Sequence, residues 1–315
     1  MKQSNVLKDG VLYTAIYLLI LMVTVFIPGI EIITLFLLPL PFVLFASRYG
    51  WKATLAFSAG AVILSLFVAT IYSLPLTAIA ALGGVAVGLA IHQRKSPYEA
   101  WAQGAVGYVI GILMFYVLSL WLFNINWIEE IDGYIQESIQ TSKRVMESVG
   151  SSVSEEQLQL LEEQFSQVTV LLPSFMGIFA VGLAFITLWL GFKMMNKLYK
   201  ESFYFPPIRS LSLPKVLLWY YLIAVIATWF DFEQGTIWKE AVQNAYTFTG
   251  FFMTLQGLSF MFAYAYEKKL SKAFPITGVV LTLILPFLLL YPVRILGIID
   301  LGFSLRERLS NKKDR

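Results

Sequence analysis

The sequence predicts an all-α, polytopic transmembrane helical bundle of about eight to ten membrane segments, with an extracytoplasmic helical hairpin. The first indication is the run from Ala53 to Ile91, which holds no charged side chain. At about 1.5 Å per residue it would make a helix of roughly 58 Å, nearly twice a hydrocarbon core of about 30 Å. It therefore folds as two spans, with the break at Ser73-Leu74-Pro75. The second is composition: 58% hydrophobic and 14% charged residues, with a mean hydropathy of +0.71, far from a soluble domain. The third is recurrence, because the same apolar pattern continues from Val11 to Leu301.

The first segment, Val11–Pro28, follows Lys2 and Lys8 as a signal peptide would. However, Val25-Phe26-Ile27-Pro28 offers no small-x-small cleavage site, so it reads as a retained helix. The second, Ile32–Ser47, is bounded by Glu31 and contains Pro39 and Pro41. Either a kinked short span or a re-entrant segment fits that pattern. Ala53–Tyr72, Leu74–Ile91, Gly104–Phe123, Thr169–Phe192, Val216–Phe230, Val242–Tyr264 and Phe274–Tyr291 complete the candidate spans. This divides the chain into N-terminal membrane helices (1–123), an external hairpin (124–168), C-terminal membrane helices (169–303) and a basic cytoplasmic tail (304–315).

Charge sets the expected orientation. With the N-terminus inside, the inner segments hold Lys2, Lys8, Arg48, Lys52, Arg94, Lys95, Lys193, Lys197, Lys200, Arg209, Lys215, Lys268, Lys269 and Lys272. The outer segments hold only Lys143, Arg144 and Lys239. The positive-inside rule then favours a cytoplasmic N-terminus in a bacterial cell membrane. Trp51, Trp101, Trp121, Trp127, Trp189, Trp219, Trp229 and Trp238 fall at or near span ends, where an amphipathic indole anchors at the interface. A simple count of nine spans would put Arg306, Arg308, Lys312, Lys313 and Arg315 outside, against the rule. Pro286 and Pro292 allow the last apolar region to fold as two short helices, which returns the tail to the cytoplasm.

Asn124 to Val168 is the one sizeable polar segment. Ile128, Ile131, Ile135, Ser138, Ser142, Val145 and Val149 form a narrow seam at helical spacing. Gly150-Ser151-Ser152 breaks it, and Ser154-Glu155-Glu156-Gln157 resembles a capping box for a second helix with Leu158, Leu161, Phe165 and Val168. The expected hairpin is acidic on its solvated face, and either packs on itself or docks a protein partner.

Polar groups inside the spans are the natural candidates for function, because they are costly there. Gln256 lies mid-span with Thr249 and Ser259 on the same helical face, a stripe that either contacts a ligand or bonds a neighbouring helix. Arg294 and Asp300 are charges in the last apolar region, about 120° apart on one helix. Arg294 is expected to snorkel to the outer interface, and Asp300 to pair with Arg306 of the tail or with another helix. Gly83, Gly84 and Gly88, and then Gly104, Gly107 and Gly111, mark close approach between neighbouring helices.

The chain has no cysteine and one histidine, His92. Thiolate nucleophiles, disulfides and multi-histidine metal sites are thereby excluded. His92, beside Gln93-Arg94-Lys95, reads as an inner-loop residue. No zinc-protease, serine-hydrolase or phosphate-loop motif occurs, so no enzyme, metal or cofactor is expected. A net charge of +3 does not imply nucleic acid. The partners implied are the bilayer, a small-molecule ligand and a protein at the hairpin.

The closing stretch Leu296-Gly297-Ile298-Ile299-Asp300-Leu301-Gly302-Phe303-Ser304-Leu305-Arg306, with the many spans and the polar insertion, resembles the YybS-like family of bacterial multi-pass membrane proteins (domain of unknown function 2232). The resemblance covers most of the chain, to Arg306. Its N-terminal helices in turn resemble the substrate-binding S components of energy-coupling-factor vitamin transporters, through the tightly spaced helices from Val11 to Phe123 and Gly83 to Gly88. That resemblance implies a transporter-like small-solute binding fold. S components dock their energising subunit through an Ala-x-x-x-Ala face, whereas the first helix here offers only Ala15, with Tyr13 and Leu19 nearby. The alternative is a non-transporting envelope scaffold.

Overall fold

The computed structural model describes residues 2–148, 165–233 and 235–311. These are helical with no strand among them. The protein is an all-α polytopic bundle in two compact units, residues 1–169 with 176–205, and 170–175 with 206–315.

The first unit contains α1 (Lys2–Phe26), α2 (Glu31–Leu37), α3 (Leu40–Ala69), α4 (Ser73–His92), α5 (Pro97–Phe123), α6 (Trp127–Ser148) and nearly all of α7 (Leu172–Tyr199). The break between α3 and α4 falls where the uncharged run requires it. The expected second span is α2 plus the first part of α3, kinked at Leu38-Pro39. It runs the length of the bundle, because Arg48 at its end meets Asp9 near the start of α1 at 2.6 Å. Gly50 then breaks α3 with φ 72° and ψ −175°, a conformation open essentially to glycine alone. Ser96 starts α5 with a reciprocal capping box to Glu99, several residues ahead of the Gly104 expected from hydropathy.

Small residues set the packing. A Cβ on Gly88 would meet Val43 O at 2.6 Å, and one on Gly107 would meet Leu82 O at 2.8 Å. Thus α4 lies against α3 on one side and α5 on the other, close enough for backbone contact. Tyr17, Phe42, Phe45 and Phe57 fill the space beside it, and the Tyr17 hydroxyl is satisfied by Thr77 at 2.6 Å. Helix α7 joins this unit through Tyr108–Thr187 at 2.6 Å and the Trp101 indole N–H donated to Val181 O at 2.8 Å. The first compact unit therefore continues through α7 to Phe205. Trp101 is engaged inside the bundle rather than serving as a free interfacial anchor, whereas Trp51, Trp121, Trp189, Trp219, Trp229 and Trp238 are exposed.

In the hairpin segment, Ile131 and Ile135 are half-buried and Ile139 is buried, while Ser138, Ser142 and Val145 are exposed. The covered face of α6 therefore follows an i, i+4, i+8 isoleucine row and departs from the expected seam at Ser138. The expected turn at Gly150 and capping box at Ser154 lie outside the described residues.

The second unit contains a 3₁₀ turn (Ile208–Ser210), α8 (Lys215–Ala227), α9 (Ile237–Glu267), α10 (Ala273–Ile284), α11 (Pro286–Phe303) and α12 (Leu305–Asn311). Its other strand of chain, 170–175, is held by Asn244, which donates to Val170 O at 2.7 Å and accepts from Ser174 N at 2.9 Å. The last apolar region breaks at Leu285-Pro286, giving the two shorter helices α10 and α11. Helices α9 and α11 cross at Gly257 and Gly297, where a Cβ on either would collide with the other helix's backbone. The meetings Gly250–Arg294, Met253–Gly297 and Gln256–Asp300 advance together, so the two helices run parallel. The tail after α11 consequently emerges at the end where α9 finishes.

Among the described residues, six helical segments are apolar and long enough to cross a membrane, Glu31–Ala69 (α2 with α3) counted as one, and Lys215–Ala227 and Ala273–Ile284 are shorter apolar helices.

Candidate functional site

At one end of the first unit, the break at Gly50, the end of α4 and the end of α7 leave a cup of about 460 Å³. Ser47, Arg48, Ile91, His92, Arg94, Met195, Tyr199, Glu201 and Phe203 line it. Its volume falls in the range of small-molecule sites, and it combines an apolar wall with converging polar groups.

The cup is assembled from local conflicts in the chain. His92 is not a loop residue: it ends α4, and its Nδ1 lies 2.9 Å from Ser47 O. The other face of its ring approaches Gly50, where a Cβ would sit 3.0 Å from Nε2. Arg94 follows at φ 54° and forms a two-pronged pair with Glu201 at 3.1 and 3.2 Å. The Glu201 carboxylate holds the Arg94 guanidinium above its ordinary pKa. Arg48 pairs with Asp9, which also accepts from Tyr49 at 2.5 Å. The Tyr13 and Tyr199 hydroxyls bond to each other, tying α1 to α7 beside the cup. Two guanidinium groups, paired with Asp9 and Glu201, and an imidazole thus line a shared space. Such a site can take an anionic or zwitterionic group and rest a small apolar body on Met195 and Phe203.

The residues singled out in the sequence gather in the second unit instead. Gln256 is buried, donating to Asp300 Oδ2 at 2.6 Å and accepting from Leu213 N at 3.0 Å. Arg306 donates to the same Asp300 oxygen at 2.8 Å, to Leu211 O at 2.7 Å and to Ser259 Oγ at 3.2 Å. Ser259 in turn lies 2.6 Å from Ile208 O. The structure brings Gln256, Ser259, Asp300 and Arg306 together as a closed network that ties α9, α11 and the 208–213 segment. Thr249 stays apart, its hydroxyl donated to Ala245 O of its own helix at 2.5 Å.

Arg294 does not snorkel. It is 8% exposed near the middle of α11, where Gly250 and the rings of Tyr221 and Tyr246 surround it.

The cup residues were not singled out in the sequence, because each looks like an ordinary inner-loop charge. The usable signal was a glycine between Tyr49 and Trp51 at the same end as the sole histidine. No group of His, Asp and Glu that could hold a metal occurs among the described residues.

Comparison with known proteins agrees with this architecture. The family model described as "Predicted membrane protein (DUF2232)" matches residues 15–301. The chain belongs to the DUF2232 family. It is 29% identical over 310 residues to the "Uncharacterized protein YybS" of Bacillus subtilis (strain 168), covering 98% of this chain and 100% of that relative. No solved structure matches. This DUF2232 protein is therefore a membrane protein associated with the lipid bilayer.

Proposed function

We propose that this protein is a membrane-embedded, transporter-like binding protein for a small solute that carries an anionic group, and that it performs no chemistry on it. The reading rests on the 460 Å³ cup, in which Arg48, His92 and Arg94 converge opposite an apolar wall. The basic residues at that end of the unit further support a cytoplasmic opening, with the N-terminus inside. A protein partner at the hairpin belongs to the same proposal.

The test is a thermal-stability screen of purified protein against small carboxylate, phosphate and zwitterionic solutes. A true ligand at about 100 times its Kd stabilises by about 2.7 kcal/mol. The response to a solute held in the cup is expected to disappear in Arg94→Gln. A ligand whose stabilisation survives both Arg48→Gln and Arg94→Gln would place binding elsewhere.

The scaffold reading draws on a different observation, the closed network at Gln256. It gains if no solute stabilises the protein.

A further inference from the structure

Arg294 poses a separate problem of charge. Its guanidinium is 8% exposed in the centre of an apolar helix, and its Nε has no hydrogen-bond partner. Among the described residues the carboxylates of Asp9, Glu201 and Asp300 pair with Arg48, Arg94 and Arg306, and none is paired with Arg294. Asp300, on the same helix, is engaged by Gln256 and Arg306. Arginine does not deprotonate, and a buried charge without a counter-charge is among the most expensive groups in a membrane protein.

The surroundings seat this cation without neutralising it. A Cβ on Gly250 would lie 2.7 Å from Cζ and 2.9 Å from both Nη atoms, so the flat of the guanidinium rests on bare backbone. The rings of Tyr246 and Tyr221 stand 5.1 and 5.8 Å from Cζ. Neither phenol carries a negative charge at neutral pH, which leaves the charge itself unmatched. Its unpartnered Nε–H lies on a guanidinium edge of the kind that matches a planar carboxylate in two parallel hydrogen bonds.

We propose that Arg294, seated on Gly250 between Tyr221 and Tyr246, is the receptor for a monocarboxylate with an apolar body. One negative charge neutralises one guanidinium. A phosphate would bring a surplus charge and a larger dehydration cost into the same apolar setting. The carboxylate is either that of a soluble organic acid or that of a free fatty acid from the bilayer.

The test is thermal unfolding of the full chain in a neutral detergent with phenylacetate, laurate, methyl phenylacetate or inorganic phosphate. Phenylacetate or laurate is expected to raise Tm, and which of the two does so identifies the source. The uncharged ester is expected to leave Tm unchanged, and inorganic phosphate to give no response that Arg294→Gln removes. Arg294→Gln is expected to abolish the carboxylate response, and Arg294→Lys to weaken apparent affinity at least tenfold through loss of the two-pronged contact. The proposal is overturned if neither carboxylate stabilises the wild type, or if the ester stabilises as well as the acid. It is also overturned if the response survives Arg294→Gln. Should Arg294→Gln fail to fold, the acid–ester comparison on the wild type still decides the matter.

Discussion

Gln256 donates its side-chain amide to Asp300 across 2.6 Å, and through that bond α9 and α11 share one buried polar centre. The same carboxylate receives Arg306, so the helix pair and the start of the tail are fastened at a single point. Removing any member leaves the others unsatisfied in an apolar setting.

Asp300→Asn is therefore expected to destabilise the protein by about 2–4 kcal/mol, because it strips the charge from a 97% buried partner of Arg306. The loss is read by thermal unfolding, with faster tryptic cleavage at Arg306 as a local indicator. Unchanged stability and protease resistance would mean that the network does not hold the tail.

Gln256→Leu is expected to cost about 1–3 kcal/mol, since the Leu213 N–H and the Asp300 carboxylate each lose a partner. Solute-dependent stabilisation should be unaffected, because the amide is consumed inside the network. A loss of ligand response in this variant, with the fold intact, would move the binding site to Gln256.

The two halves of that outcome show how far the sequence could be read. Cost marked Gln256 and Asp300, Arg306 entered as a tail partner for Asp300, and the structure joins all three. The cost did not say whether the bonds were internal, since that depends on the parallel crossing at Gly257 and Gly297, a long-range contact without a local signature. Arg294 was misplaced for the same reason. A long cationic side chain near a proline-rich break suggests escape to the interface, whereas Gly250 opens a berth for it in the bundle. Spans and breaks at Ser73 and Pro286 were legible because hydrophobic length and proline act locally. The cup was not, because Arg48, His92 and Glu201 meet only after α3, α4 and α7 end together.

Gly50→Ala should destabilise by about 1–3 kcal/mol, since φ 72° with ψ −175° is strained for any residue with a Cβ. The added methyl would also press on His92 Nε2, so solute binding in the cup should weaken together with stability. Denaturant or thermal unfolding of the variant measures the first, and the ligand-induced shift the second. A variant as stable as the wild type would show that the break does not depend on glycine.

The absence of cysteine permits a clean topology test. Lys95→Cys is expected to react with a membrane-impermeant maleimide only after the cells are opened, and Gly133→Cys in intact cells. Gly133 is suitable because a Cβ there meets nothing within 4 Å. The reverse labelling pattern would invert the proposed orientation.

Native mass spectrometry of protein extracted from its own membrane tests the binding reading most directly. The wild type is expected to carry a small-molecule adduct that collisional activation releases, and the Arg48→Gln, Arg94→Gln double variant to have lost it while remaining folded. A wild type without any such adduct, or a double variant carrying the same adduct at the same occupancy, would contradict a solute-binding cup.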